Sequence, residues 1–232
     1  DNRPSAGGVV ASEMLLNAAP DGYSLMLVSV GHAVNASLYS KLPYDPVKDF
    51  AGITLVADVP TALVVTPALG LKTVKDLVDL AKAKPGQINY ASAGIGSGAH
   101  MNAEQFKLAT GINVVHVPYK GTPEALTNVM GGSVQFFFSP ITGAVTLVKS
   151  GKITALAVST KNRSPVLPDL PGATEVGIAG FEFNLWTGLL ASAKLPKDIK
   201  DKLNREVVRI LGLADVKERM LTQGATPHPM TP

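Results

Sequence analysis

Cysteine is absent from this chain of 232 residues, which removes disulfides, thiolate catalysis and cysteine-based zinc sites together. Histidine is scarce: His32, His100, His116 and His228 are dispersed, with no H-x-x-x-H or carboxylate spacing, so no metal site is expected. No apolar run approaches the roughly 18 residues that cross a bilayer as a helix. The longest, Thr61 to Thr66 and Thr154 to Val158, are strand-length. Charged residues make up only 17%, and the net charge of +3 comes without a block of one sign, so no nucleic-acid partner is expected. Also lacking at Asp1-Asn2-Arg3-Pro4 are an initiator Met, a basic n-region and a signal-peptide core, so an upstream piece is expected.

What is there is a compact α/β composition, 46% hydrophobic with 22 Gly and 17 Pro. Thr73 to Lys84 carries Val74, Leu77, Val78 and Ala81 at helical spacing. Strand-like Ile88 to Ser92 follows, then a helix from Ser97 to Thr110 with Gly111 at its end. Next come a strand Ile112 to Val117, a helix with Thr122 as N-cap before Pro123, and a strand Val134 to Phe138. A helix Ile141 to Lys149 and a strand Ile153 to Ser159 complete a block whose alternation implies βαβ crossovers and a parallel sheet. Phe136-Phe137-Phe138 reads as a strand buried on both faces.

Outside the block, Tyr23 to Val30 reads as a strand and Phe50 to Pro67 as a long strand pair. Pro165, Pro168 and Pro171 mark a linker, Phe181 to Ala191 is strand-like, and Pro196 to Leu211 is a helix with Ile199, Leu203, Val207 and Ile210 on one face. A regular block between two outer pieces predicts two lobes with the chain crossing twice.

The chemistry concentrates in Ser92-Ala93-Gly94-Ile95-Gly96-Ser97-Gly98-Ala99-His100, a strand end, a glycine-rich loop and a helix start. Glycines let backbone approach a guest, and the first N–H groups of a helix suit an anion, here beside the hydroxyls of Ser92 and Ser97. Gly94 to Ala99 also fits G-x-G-x-x-A, but the dinucleotide fingerprint wants an acidic residue about 20 positions on. The following strand ends His116-Val117-Pro118-Tyr119, and the first carboxylate after it is Glu124. A serine-hydrolase elbow fails because Ile95 stands two before Ser97 where Gly is required, although Ser97 and His100 could share a helix face. Ser29, Gly31 and His32 form a second strand-to-helix corner of the same kind. Ser139 stands at a strand end, and Trp186, the only Trp, is either a pocket wall or a half-buried core residue.

Several longer motifs occur in order along the chain. Asp1-Asn2-Arg3-Pro4-Ser5-Ala6-Gly7-Gly8, Ala19-Pro20-Asp21-Gly22-Tyr23 and Leu42-Pro43-Tyr44-Asp45-Pro46-Val47-Lys48-Asp49-Phe50 resemble the Bug family of extracytoplasmic solute receptors. So do Tyr90-Ala91-Ser92-Ala93-Gly94, His116-Val117-Pro118-Tyr119-Lys120-Gly121 and Leu167-Pro168-Asp169-Leu170-Pro171. These receptors are the solute-binding components of tripartite tricarboxylate transporters. The resemblance implies an α/β, two-lobed periplasmic binding protein of the type II Venus flytrap kind, with parallel and mixed sheets and two crossing strands. Lobe one is expected at 1–63 and 182–232, lobe two at 64–181, and the family's first strand and its glycine-rich first loop are expected upstream of Asp1.

The resemblance further implies that a small carboxylated organic anion is captured between the lobes and delivered to membrane transporter subunits. No catalysis, metal or cofactor is expected. Ser29, Gly31 and His32 would form one wall, and Ser92, Gly94, Ser97, Gly98, Ala99 and His100 the other. Ser139 and Trp186 would shape specificity. Many members carry Asp at the position of Ser139, which tilts the expected solute from amino acids to di- or tricarboxylates or an aromatic acid. The rival readings are a nucleotide-dependent oxidoreductase, a Ser–His hydrolase and the ligand-sensing domain of a regulator.

Overall fold

The computed structural model describes residues 2–3 and 6–231; Asp1, Pro4 and Ser5 of the first family-like motif lie outside the described residues. The elements run α1 (Val9–Asn17), β1 (Met26–Val28), α2 (Val30–Leu38), β2 (Phe50–Val65), α3 (Val74–Ala83), β3 (Asn89–Ser92), α4 (Gly98–Thr110) and β4 (Val115–Pro118). They continue α5 (Thr122–Met130), β5 (Phe136–Pro140), α6 (Ile141–Lys149), β6 (Thr154–Val158), α7 (Ala173–Val176), β7 (Asn184–Ser192), α8 (Lys197–Leu211), α9 (Ala214–Thr222) and β8 (Thr226–Pro227). The chain divides into two compact units, one of Asp1–Asp58 with Trp186–Pro232, the other Val59–Leu185. The crossings thus fall at 58/59 and 185/186, beside the expected 63/64 and 181/182.

β2 departs most from expectation. Instead of a strand pair, Phe50 to Val65 is one strand of 16 residues that serves both units. In the first unit it pairs with β7 and, at Ala57 and Asp58, with β8. From Thr61 onward it lies between β5 and β6, antiparallel to both. Pro60, which cannot donate to a ladder, falls in the gap between these pairings, where a strand tolerates it.

The larger unit is a sheet in the order β6-β2-β5-β3-β4. β3 is parallel to β4 and to β5, with Tyr90 opposite His116 on one side and Phe136 on the other. The expected all-parallel block is therefore mixed, because β2 enters from outside it and separates its last two strands. Phe136 and Phe138 point to one face with Leu63, Val65 and Tyr90, under α3 and α4; Phe137 points to the other with Ala62, Val64 and Ala91, under α5 and α6. All three phenylalanines have no exposed surface, as expected of a strand covered on both sides. α3 forms where its apolar stripe begins, capped by Thr73, whose hydroxyl accepts from Asp76 N at 3.1 Å while the Asp76 carboxylate accepts from Thr73 N at 2.9 Å.

The proline-rich stretch is a packed strap of the larger unit and not a linker. Leu167 packs with Ile141, Val145 and Val158, and Val158 N donates to Pro171 O at 3.0 Å. Thr122 is the first residue of α5 rather than its cap, which is Gly121. The strand expected over Tyr23 to Val30 shrinks to Met26–Val28, because Ser29 already occupies the cap position of α2.

In the smaller unit β1 pairs antiparallel with β7. Ile53, Ala191 and Leu195 form a core there that receives Ile199 and Leu203 of α8, whereas Ile210, expected on the same face, is 42% exposed. Among the described residues no helix is long and apolar enough to cross a membrane.

Phe137, central and covered on both sides, gives the sharpest test of this core. Phe137→Ala should lower unfolding free energy by about 3–5 kcal/mol in a urea titration. A loss near zero would contradict its placement.

Candidate functional site

The corner between β3 and α4 is built from two glycines and a capping serine. Gly94 and Gly96 take φ of 120° and 77°, values that side chains with a Cβ rarely adopt. Ser97 caps α4, its hydroxyl accepting from His100 N at 3.3 Å, and Ser97 N donates to Gly94 O at 3.1 Å. The first intrahelical bond runs from Met101 N to Ser97 O at 3.0 Å. Gly98 and Ala99 thus present the N–H groups of the first turn, which have no preceding helical carbonyl to bind. No acidic residue stands in that first turn, so the positive end of the helix dipole is not met by a side-chain carboxylate.

Three of the residues expected on this wall are engaged with the protein itself. Ser92 is fully buried, and its hydroxyl oxygen accepts from Gly94 N at 3.1 Å while lying 3.1 Å from Gly94 O and 2.6 Å from His116 Nε2. Its hydrogen-bonding capacity is spent on holding the loop. Gly98 leaves room for protein, since a Cβ there would come within 2.1 Å of Leu185 Cδ2. His100 turns its ring back on the loop, Nδ1 accepting from Gly96 N at 3.2 Å. Ser97 and His100 do not pair in the hydrolase manner, because Ser97 Oγ meets the backbone N–H of His100 and not its imidazole. Gly94, Ser97 and Ala99 lie on this corner.

Behind the loop lies a cluster that linear reading missed. The His116 ring stacks on Tyr90 at 4.8 Å and on His100 at 4.1 Å between centroids. The Tyr90 hydroxyl donates to Glu104 Oε1, which also accepts from Lys107 Nζ at 2.8 Å. Burial pushes both imidazoles below the ordinary histidine value, His116 to about 4 with added repulsion from His100. Burial also raises the Tyr90 hydroxyl, with Glu104 adding to it. For Glu104 burial works upward, but Lys107 and Tyr90 overcome it and hold the carboxyl below its usual value. The signal that would have found this cluster is the parallel register of β3 on β4, which sets Tyr90 beside His116.

A second set of missed residues anchors α4 from below. Asn102, nearly fully buried, donates through Nδ2 to Thr61 Oγ1 at 2.6 Å. Thr61 N donates to Ser159 Oγ at 2.9 Å, and the Ser159 hydroxyl donates to Phe183 O.

In the smaller unit, Ser29 caps α2 by position and makes no side-chain cap bond, and Gly31 follows in the first turn, which carries no acid. His32, expected beside them as an anion donor, is half-buried and packs its ring against the core residues Tyr44 and Phe50 of its own unit. Its Nε2 lies 3.1 Å from Pro46 O, and its ring meets Phe50 edge-on at 4.8 Å. With Nε2–H given to that carbonyl, the neutral ring has only an acceptor left. Trp186 is half-buried in β7. Ser139 is fully buried, opposite Ala62 of β2, and its hydroxyl donates to Pro140 O at 3.0 Å. Among the described residues no cluster of His, Asp or Glu has the makings of a metal site.

The family model described as tripartite tricarboxylate transporter family receptor matches residues 1–231. Protein BugT of Bordetella pertussis is 34% identical over 233 residues, covering 100% of this chain and 72% of that protein. Of solved structures, an R. palustris protein with adipate is 32% identical with a TM-score of 0.96, over 100% of this chain and 78% of that one. MatC from Rhodopseudomonas palustris, with bound malate, is 33% identical with a TM-score of 0.90, over 96% of this chain and 76% of that one. The chain spans about two thirds of the length of the first curated relatives it matches.

Two outcomes follow from the buried stack and the filled glycine. Because His116 and His100 resist protonation when folded, the unfolded chain binds more protons below pH 6.5, and stability should fall as pH drops toward about 4. Thermal melts across that window should show a shallower decline in His116→Gln, which keeps a polar group near Ser92; an unchanged slope would exclude the stack as the cause. Gly98→Ala, which forces a Cβ on Leu185, should cost about 1–3 kcal/mol in the same melts.

Proposed function

The chain belongs to the tripartite tricarboxylate transporter family of receptors, and on that footing we propose that it is an extracytoplasmic solute-binding receptor for one small carboxylated organic anion. It works in the periplasm and hands its solute to the membrane subunits of a tripartite tricarboxylate-type transporter. The observation that carries this reading is the corner between β3 and α4. A carboxylate there meets the N–H groups of Gly98 and Ala99 and the Ser97 hydroxyl, at the positive end of a helix of 13 residues. Oxygen acceptors of a carboxylate suit such donors, and hydrogen bonds to a charged group are stronger than those to a neutral one.

The corner Ser29-Val30-Gly31 of the smaller unit offers the same chemistry, with a hydroxyl not engaged in capping its own helix. Holding an anion by amides and hydroxyls in place of a cationic cluster suits a receptor that must also let go, since no full ion pair has to be broken. Dicarboxylates are the first solutes to try, given the adipate and the malate in the two R. palustris proteins.

Calorimetric titration of adipate, malate, citrate and nicotinate, with NAD and a neutral sugar as controls, tests the reading. Binding by one group of carboxylates and by neither control is expected. Binding of NAD alone would overturn it in favour of a nucleotide-dependent enzyme. Ser97→Ala should weaken carboxylate binding about tenfold, through loss of one hydrogen bond to a charged group.

A further inference from the structure

We propose that His100 is a positioning residue that locks the glycine corner in its anion-binding form, and that protonation of its ring unlocks the corner and lowers carboxylate affinity. This rests on the carboxylate reading above, and it adds a residue and a pH dependence which that reading does not contain.

The geometry assigns the state of the ring. A backbone N–H can only donate, so the bond from Gly96 N to His100 Nδ1, at 3.2 Å, requires a bare Nδ1 and places the proton of the neutral ring on Nε2. A proton added to Nδ1 would put two N–H groups face to face, and the bond must break. Gly96 is buried and holds a φ of 77°, so its place in the corner depends on that bond and on its two neighbours.

His116 behaves differently. Its Nε2 faces Ser92 Oγ at 2.6 Å, and a hydroxyl can accept as readily as it donates. Protonated His116 keeps its partner; protonated His100 loses its own. The corner therefore has one pH-sensitive tether, although two imidazoles support it.

The charges around His100 set the direction of the effect. Nε2 lies 3.9 Å from Glu104 Oε1, beyond hydrogen-bond length, and Lys107 and the Tyr90 hydroxyl already engage that carboxylate. Lys107 and the His116 ring, stacked at 4.1 Å, oppose a positive charge on His100. Charge gained by the ring appears beside Glu104, which offsets its pull on a distant anion. Loss of the Gly96 tether then dominates, and affinity falls.

Two measurements test this. In 15N-labelled protein without ligand, His100 should show a bare Nδ1 at neutral pH, and the Gly96 amide should titrate together with the His100 ring. Calorimetry with adipate and malate from about pH 7.5 downward should show wild-type affinity falling more steeply than that of His100→Asn, by up to about tenfold once the ring is protonated. His100→Asn places an acceptor where Nδ1 was and cannot titrate, so its affinity should change with pH only as the solute takes up protons, and should exceed that of His100→Phe. His100→Phe keeps a ring for the stack but has no acceptor, and should bind weakly at every pH.

A ring that served only the stack would give the reverse order, with Phe tolerated and Asn not, and would overturn the proposal. So would a Gly96 amide that ignores the His100 titration, which needs no variant to fold. If neither solute binds wild-type protein at any pH, the carboxylate reading fails for these probes, and the Gly96 amide alone decides whether the lock exists.

Discussion

Gly94 and Gly96 hold φ of 120° and 77°, and the corner between β3 and α4 closes in this form only because both lack a Cβ. From that constraint the rest of the site follows. The tight path brings Gly94 N onto Ser92 Oγ and Gly96 N onto His100 Nδ1, so those two donors turn inward and are consumed. The N–H groups of Gly98 and Ala99 stay in the first turn of α4 without a preceding helical carbonyl, and these are the donors of the proposed site. In the proposed site the loop decides by elimination which amides face the anion.

Beneath the corner, the larger unit supplies a rigid seat. α4 is held by Ala103 and Phe106 in the main core and by the buried bond from Asn102 to Thr61. Thr61 and Ser159 belong to the segments where β2 and β6 end their pairing, and Phe183 precedes the second crossing. Polar groups buried this deeply are costly unless paired, and here each of these bonds joins elements far apart in sequence. A helix fastened in this way keeps its first turn in place.

Much of this was legible in the sequence because it depends on local spacing. The stripe of α3, the doubly buried Phe136-Phe137-Phe138 and the capped glycine corner need only neighbours within a turn or a strand. Contacts set by register were not legible. The placing of β2 between β5 and β6 depends on partners on both sides, and hydrophobic content alone cannot distinguish a strand pair from one long strand. The stack of Tyr90, His116 and His100 arises from β3 lying parallel to β4, so three separated residues read as unrelated. Gly98 shows the same effect: a glycine in a ligand-like loop was read as room for a guest, and Leu185 from the far end of the unit fills it. Linear reading found the corner, whereas the division of labour within it emerged only from the fold.

The account stands on where the anion sits. A crystal structure with whichever carboxylate binds in solution tests that most directly. The expected result is a carboxylate oxygen about 2.7–3.1 Å from the N–H of Gly98 or Ala99 and near Ser97 Oγ, with Gly96 still tied to His100. A carboxylate bound elsewhere, with the first turn of α4 facing only water, would contradict it.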